Sequence, residues 1–214
     1  MTASEGTTRA TSGRHLASAC DTPVAFHYAA TRRLAAWWAE TRADAELPLK
    51  NALEPLAIPD LLPFLWINEH DAANGCFVYR LVGEEIRGRY ATPLKDRNLA
   101  DIFPVATARR IQATMERVAF APCAYHHLGA IYESCDRVGF GERLLLPLGP
   151  GAGPGTHVLG ISIYDVGTCA PAKQPRADGG DRGGDIRRFY PLSAIENLAF
   201  PDGRQAPPRD PMAE

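Results

Sequence analysis

Residues 60–103, DLLPFLWINEHDAANGCFVYRLVGEEIRGRYATPLKDRNLADIF, decide the fold. The apolar run around FLWI, at residues 64–67, is too short for a helix and is bounded by Asp71. Residues 71–75 then bring together Asp, Asn and Gly, which tolerate the backbone angles of tight turns. The following stretch, CFVYRLV, alternates, with Phe77, Tyr79 and Leu81 on one face. Two such runs joined by a short Gly-containing loop predict a β-hairpin.

The rest of the chain adds helices and further strands to this hairpin. Glu84 and Glu85 begin a short helix, with acidic side chains at its positive end. Residues 106–120, ATARRIQATMERVAF, have helical spacing, with Ile111 and Met115 on the apolar stripe. Three more strands are predicted at residues 123–133, 142–148 and 157–166. Five strands in two groups, with helices inserted after the second strand, predict an α+β fold with an antiparallel sheet.

Several motifs carry a family resemblance. They are RLVG at residues 80–83, the loop DRNLADIF at 96–103, and ERLLLPL at 142–148. With LPFLWINEHD and the upstream helix LAAWWAETRADAELP, they resemble the PAS domain, and more closely a proteobacterial family of small proteins built on one PAS-like domain. The resemblance spans residues 34–166 and implies a five-stranded antiparallel sheet with flanking helices and an N-terminal helix. It also implies a sensory or regulatory role, although PAS domains share a scaffold and differ in ligand and output.

Composition and charge exclude several classes of function. The chain has 214 residues and a net charge of −2, without a run of Lys and Arg that could follow a nucleic-acid backbone. It has no apolar stretch near the roughly 20 residues of a membrane helix, and its start lacks the apolar centre of a secretory signal. The cysteines are scattered and form no C-x-x-C pair. We therefore expect a cytoplasmic protein with reduced thiols.

The sequence divides into segments of different character. Residues 1–21 are small and polar and predict a disordered leader, and residues 22–46 predict an amphipathic helix. The PAS-like domain is expected over residues 47–166. Residues 167–214 predict a Gly- and Pro-rich linker and tail, in which the apolar segment 187–200 is a candidate strand or helix that docks on the domain.

The N-terminal helix has two interpretations. Its aromatic and apolar stripe, formed by Tyr28, Leu34, Trp37 and Trp38, can pack against the domain of the same chain. The same stripe can pair two chains, because aromatic side chains are favoured anchors at interfaces. We expect a homodimer under the second interpretation.

No enzyme signature is present. The Cys and His residues of C-x-x-H-H-x7-C, from Cys123 to Cys135, do not match the spacing of zinc ligands, so no metal site is predicted. A haem held by His126 or His127 is a sharper alternative that nothing in the sequence specifically selects. There is no nucleophile elbow and no phosphate-binding loop. No catalytic residue and no required cofactor is predicted.

What remains is a ligand pocket between the sheet and the helices. Its candidate residues combine apolar walls with polar tips, which is typical of small-molecule sites. They are Phe77, Tyr79, Leu81, Phe103, Met115, His126, His127, Tyr132 and Ile161. The sequence thus predicts a sensory module that binds a small molecule or a separate signalling protein. The alternative is a ligand-free adaptor with a fully packed core that acts as a homodimer.

Overall fold

The computed structural model describes residues 24–42, 47–52, 57–133, 137–149, 155–164, 170–171 and 185–199. The disordered leader predicted for residues 1–21 and most of the predicted linker lie outside these residues. The elements in chain order are α1 (Ala29–Arg42), β1 (Leu65–Asp71), β2 (Cys76–Val82), α2 (Glu84–Arg87), α3 (Leu99–Ile102), α4 (Val105–Phe120), β3 (Ala124–Glu133), β4 (Arg137–Leu148), β5 (His157–Tyr164), β6 (Ala170–Pro171), β7 (Ile186–Tyr190) and α5 (Leu192–Ala199), with 3₁₀ turns at Lys50–Ala52 and Leu62–Phe64.

The predicted α+β fold is confirmed. The strands form one antiparallel sheet in the order β2-β1-β5-β4-β3-β7, and the short β6 pairs with β4. The five strands predicted from the sequence are all present, but the sheet does not stop at β3. The apolar segment near residue 187 adds β7 along the free edge of β3.

The β1–β2 hairpin forms for the reasons that its sequence suggests. The Asp71 carboxylate accepts hydrogen bonds from the main-chain N–H groups of Ala73 and Asn74, at 3.0 and 3.3 Å. Gly75 has a φ of 62°, which glycine adopts at little cost. Its N–H donates to the Asp71 carbonyl at 2.8 Å and closes the turn.

A bulge in β2 changes which side its last residues face. Ile67 pairs with Leu81 and Asn68 pairs with Tyr79, so Arg80 is an extra residue on β2. An extra residue reverses the alternation beyond it. Leu81 therefore packs on the opposite side of the sheet from Tyr79, and the prediction that Phe77, Tyr79 and Leu81 share a face is wrong at Leu81.

Both faces of the sheet are covered. Helices α2, α3 and α4 pack against the inner face, which carries Trp66, Tyr79 and Val158. Helices α1 and α5 pack against the outer face, which carries Leu144 and Ile161. Each fully buried large apolar side chain contributes roughly 1.5–3 kcal/mol, so the outer layer adds substantially to stability.

Helix α1 is attached to the outer face by apolar and polar contacts. Leu34 and Trp38 are fully buried, and Trp38 Nε1 donates to the Pro147 carbonyl at 3.0 Å. At the start of the helix, the Glu142 carboxylate accepts hydrogen bonds from His27 N and Tyr28 N at 2.8 and 2.9 Å. A strand residue thus places a negative charge just before the start of α1, where the helix dipole favours it.

Candidate functional site

A fully buried serine stands at the centre of a polar cluster on the inner face. Ser162 on β5 lies beside its cross-strand partner Arg143 on β4. Its hydroxyl oxygen accepts hydrogen bonds from Arg143 Nε at 2.9 Å and from Trp66 Nε1 at 3.1 Å. Three central strands therefore direct polar atoms to one point in an otherwise apolar layer.

The Trp66 indole fits this position because β5 has a glycine next to it. A Cβ atom on Gly160 would lie 2.1 Å from the indole ring, closer than any real contact. Gly160 is also the cross-strand partner of Trp66. Because Gly160 lacks a Cβ atom, the indole ring has room there, and its Nε1 donates to Ser162.

Tyrosine hydroxyls surround the guanidinium of Arg143. The phenols of Tyr164, Tyr90 and Tyr79 lie close enough to Arg143 to interact with its charge. Burial raises the pKa of Tyr79 to about 12, so its phenol is neutral at physiological pH. The Arg89 guanidinium lies 4.0 Å from the centre of the Tyr164 ring, on which it packs as a cation–π partner.

Asn68 adds an uncommon feature to the cluster. It is 0 % exposed, and neither Oδ1 nor Nδ2 has a hydrogen-bond partner within the described residues. Its amide lies beside the Tyr79 hydroxyl without reaching hydrogen-bonding geometry. Buried polar atoms are nearly always hydrogen-bonded, so an unsatisfied amide here indicates a place for a further polar group. We call Trp66, Asn68, Tyr79, Arg143, Ser162 and Tyr164 the inner polar cluster.

The family follows from a comparison with known proteins. A family model of the PAS domain matches residues 26–163, which is most of the chain from just before α1 to the end of β5. The chain belongs to the PAS domain family. PAS domains are sensory and regulatory modules. No curated protein and no solved structure matches the chain significantly. In the part of the chain that the structure describes, no helix is long and apolar enough to cross a membrane.

The PAS fold places the predicted pocket residues on both sides of its sheet. Phe77, Tyr79, Phe103 and Met115 belong to the inner layer. Leu81 and Ile161 belong to the outer layer, Leu81 because of the bulge and Ile161 because it alternates with Ser162. The side chain of Tyr132 lies outside the described residues.

The adjacent histidines of β3 face opposite sides, and both are buried. His126, on the outer side, has its Nε2 atom 2.7 Å from the Glu142 carboxylate. His127, on the inner side, accepts a hydrogen bond from Arg187 Nε at 3.2 Å and lies 3.6 Å from Asp185. Burial, together with the Arg187 charge, lowers the pKa of His127 to about 4. Both Nε2 atoms thus have side-chain partners within the protein.

Three of the predicted dimer residues, Leu34, Trp37 and Trp38, lie on α1, and Tyr28 immediately precedes it. Leu34 and Trp38 are fully buried against their own sheet, so they offer no surface to a second chain. Tyr28 and Trp37 are half-buried, and Trp37 packs on the same apolar layer. Leu34 and Trp38 therefore serve intramolecular packing, and the homodimer stays a prediction.

Sequence reasoning missed most of the inner polar cluster. Of its members, only Tyr79 was a candidate. One signal was present, because Arg143 is the single charged residue within the apolar strand segment RLLLPL. Side chains alternate along a strand, so Arg143 faces away from Leu144 of the outer layer. It therefore points to the covered inner face.

Proposed function

We propose that this PAS domain is a sensory module that binds a small molecule at the inner polar cluster and transmits the binding to a partner protein through its outer layer. The observation that supports the binding step is the convergence of Arg143, Asn68 and Ser162 inside the layer between the sheet and α2–α4. A packed structural core has no use for a charged side chain and an unsatisfied amide in that position.

The route to the outer layer is short. Arg143 belongs to the inner cluster, while its chain neighbour Glu142 holds the start of α1 on the other face. A change in strand position at Arg143 is therefore transmitted through one peptide unit to the start of α1. Helix α5 extends the same surface, because Glu196 forms an ion pair with Arg42 at the end of α1. We assign α1 and α5 as the output surface toward an unknown signalling protein.

The first experiment identifies a ligand and follows its effect. We expect native mass spectrometry of the purified chain to show a bound small molecule that is released on denaturation. Adding it back to the ligand-free protein is expected to change hydrogen exchange in α1 at residues 27–34 as well as at Arg143. Exchange changes confined to the inner face would contradict the proposed output surface. A protein that carries no molecule and binds none would instead favour the ligand-free adaptor.

A further inference from the structure

We infer that the ligand of the inner polar cluster is a small organic carboxylate whose charge pairs with Arg143. This inference rests on the proposed sensory function and adds the chemical class of the ligand. It follows from an imbalance of charge within the cluster and from the hydrogen-bonding groups that remain around it.

Arg143 is a half-buried cation with neutral neighbours. A guanidinium keeps its charge at every physiological pH. Its Nε donates to the neutral Ser162 hydroxyl, phenols lie near it, and no carboxylate among the described residues forms an ion pair with it. The adjacent carboxylate of Glu142 is on the other face, where His126 and the start of α1 occupy it. A cation in an apolar layer is disfavoured without a counter-ion, and none is present among the described residues, so an anionic ligand would complete the site.

The amount of charge favours a carboxylate over a phosphate dianion. The second guanidinium near the cluster, Arg89, lies 4.0 Å from the Glu85 carboxylate, which offsets its charge. One uncompensated positive charge remains, and it matches one negative charge. With Nε directed to Ser162, the terminal nitrogens of Arg143 can form the paired N–H donors that fit a carboxylate group.

The opposite end of the cluster specifies a second group on the ligand. Asn68 offers both a donor and an acceptor, neither of which has a partner among the described residues. The Tyr79 hydroxyl is close enough to interact with both Asn68 and Arg143. A hydroxyl group on the ligand can donate to Asn68 Oδ1 and accept from Nδ2. The ligand class is therefore a small carboxylate that carries a hydroxyl group.

The test compares carboxylates with matched controls by thermal unfolding of the full chain. Ligand-free protein is titrated with lactate, 4-hydroxybenzoate, neutral 4-hydroxybenzamide, or inorganic phosphate, with chloride at equal ionic strength as the reference. We expect at least one of the hydroxycarboxylates to raise the Tm by about 5 °C at saturating concentration. Arg143→Met is expected to abolish that rise, and Arg109→Met, which removes an exposed arginine of α4, to preserve it.

The variants also test the charge argument without any ligand. Because Met replaces an unpaired half-buried charge with an apolar chain of similar length, we expect Arg143→Met to unfold at a Tm equal to or above that of the ligand-free wild type. If Arg143→Met does not fold, Arg143→Lys keeps the charge but loses the paired donors, and its affinity is expected to fall by at least about tenfold.

The outcomes separate this inference from the proposed function. Three outcomes would overturn the carboxylate assignment and leave a sensory site for another ligand class. They are an equal rise in Tm for Arg143→Met, an equal rise in Tm with 4-hydroxybenzamide, and a rise in Tm with phosphate alone. Failure of every additive, together with the absence of a released molecule in native mass spectrometry, would overturn both.

Discussion

At the scale of single residues, the inner polar cluster depends on a small residue beside a large one. The indole of Trp66 occupies the space over Gly160, where an added Cβ would lie 2.1 Å from the ring. We expect Gly160→Ala to displace the indole and to lower the free energy of unfolding by about 1–3 kcal/mol, measured by urea denaturation.

Gly88 provides the matched control for that substitution. It ends α2 with an ordinary helical φ of −62°, and a Cβ there would meet its nearest neighbour at 3.5 Å. Gly88→Ala is therefore expected to change stability by less than about 1 kcal/mol. If Gly160→Ala proved equally mild, the indole would not be fixed in the way that the packing indicates.

His127 gives a second prediction at this scale. Its pKa falls from 6.5 to about 4 in the folded chain, mainly because of burial and then because of the Arg187 charge. Between these values the unfolded chain binds the proton and the folded chain does not. Stability is therefore expected to decrease as the pH falls from 6.5 to about 4, and this part of the decrease is expected to vanish in His127→Gln. If the free energy of unfolding fell equally with pH in the wild type and in His127→Gln, the assignment would be contradicted.

At the scale of elements, the attachment of α1 depends on a carboxylate from β4. Burial opposes the ionisation of Glu142, but hydrogen bonds from His126 and from the start of α1 outweigh it and hold its pKa below 4.5. Glu142→Gln keeps one acceptor and removes the charge. We expect it to lower the free energy of unfolding by about 2 kcal/mol at neutral pH and to speed hydrogen exchange at His27 and Tyr28.

The pH dependence and a control define that prediction. Because the pKa of Glu142 is depressed on folding, its contribution is present above pH 4.5 and is lost as the pH falls through the folded value. The difference in the free energy of unfolding between wild type and Glu142→Gln should therefore disappear in acid. Glu40→Gln, on the exposed side of the same helix, is expected to change stability by less than about 0.5 kcal/mol. A gap that stayed constant with pH would show that the carboxylate charge does not hold α1.

Local sequence signals explain which elements could be predicted. The Asp, Asn and Gly of residues 71–75 specify the β1–β2 turn, and apolar and polar residues alternate along the strands. Both features could therefore be predicted without knowledge of the fold. The bulge at Arg80 and the docking of β7 depend on partners distant in the chain. The apolar character of residues 187–200 predicted a docking segment but not its pairing with β3, and the bulge has no local signature.

The candidate site was less accessible for the same reason. Phe77, Tyr79, Phe103 and Met115 were predicted because aromatic and apolar residues near helices suggest a cavity wall. Arg143, Asn68 and Ser162 each belong to a different strand, and their meeting is set by the register between β1, β4 and β5. A single-strand pattern assigns a polar residue to solvent, whereas here both faces of the sheet are covered.

At the scale of the whole molecule, the sheet separates a polar interior site from an apolar outer layer. The inner layer contains the charge and the unsatisfied amide, while the outer layer carries α1 and α5. The central strand β4 contributes to both through consecutive residues. Under the proposed function, a ligand would act on the outer surface without touching it, and the hydrogen-exchange experiment tests that separation.

The strand β7 also constrains how the chain reaches its native state. Its partner β3 begins at Ala124, and β7 begins only at Ile186, so synthesis completes the rest of the sheet first. During that interval the N–H and C=O groups along the β3 edge have no strand beside them, and an open edge invites pairing with another chain. We therefore expect a growing chain on the ribosome to be prone to aggregation until β7, the last strand among the described residues, has been made.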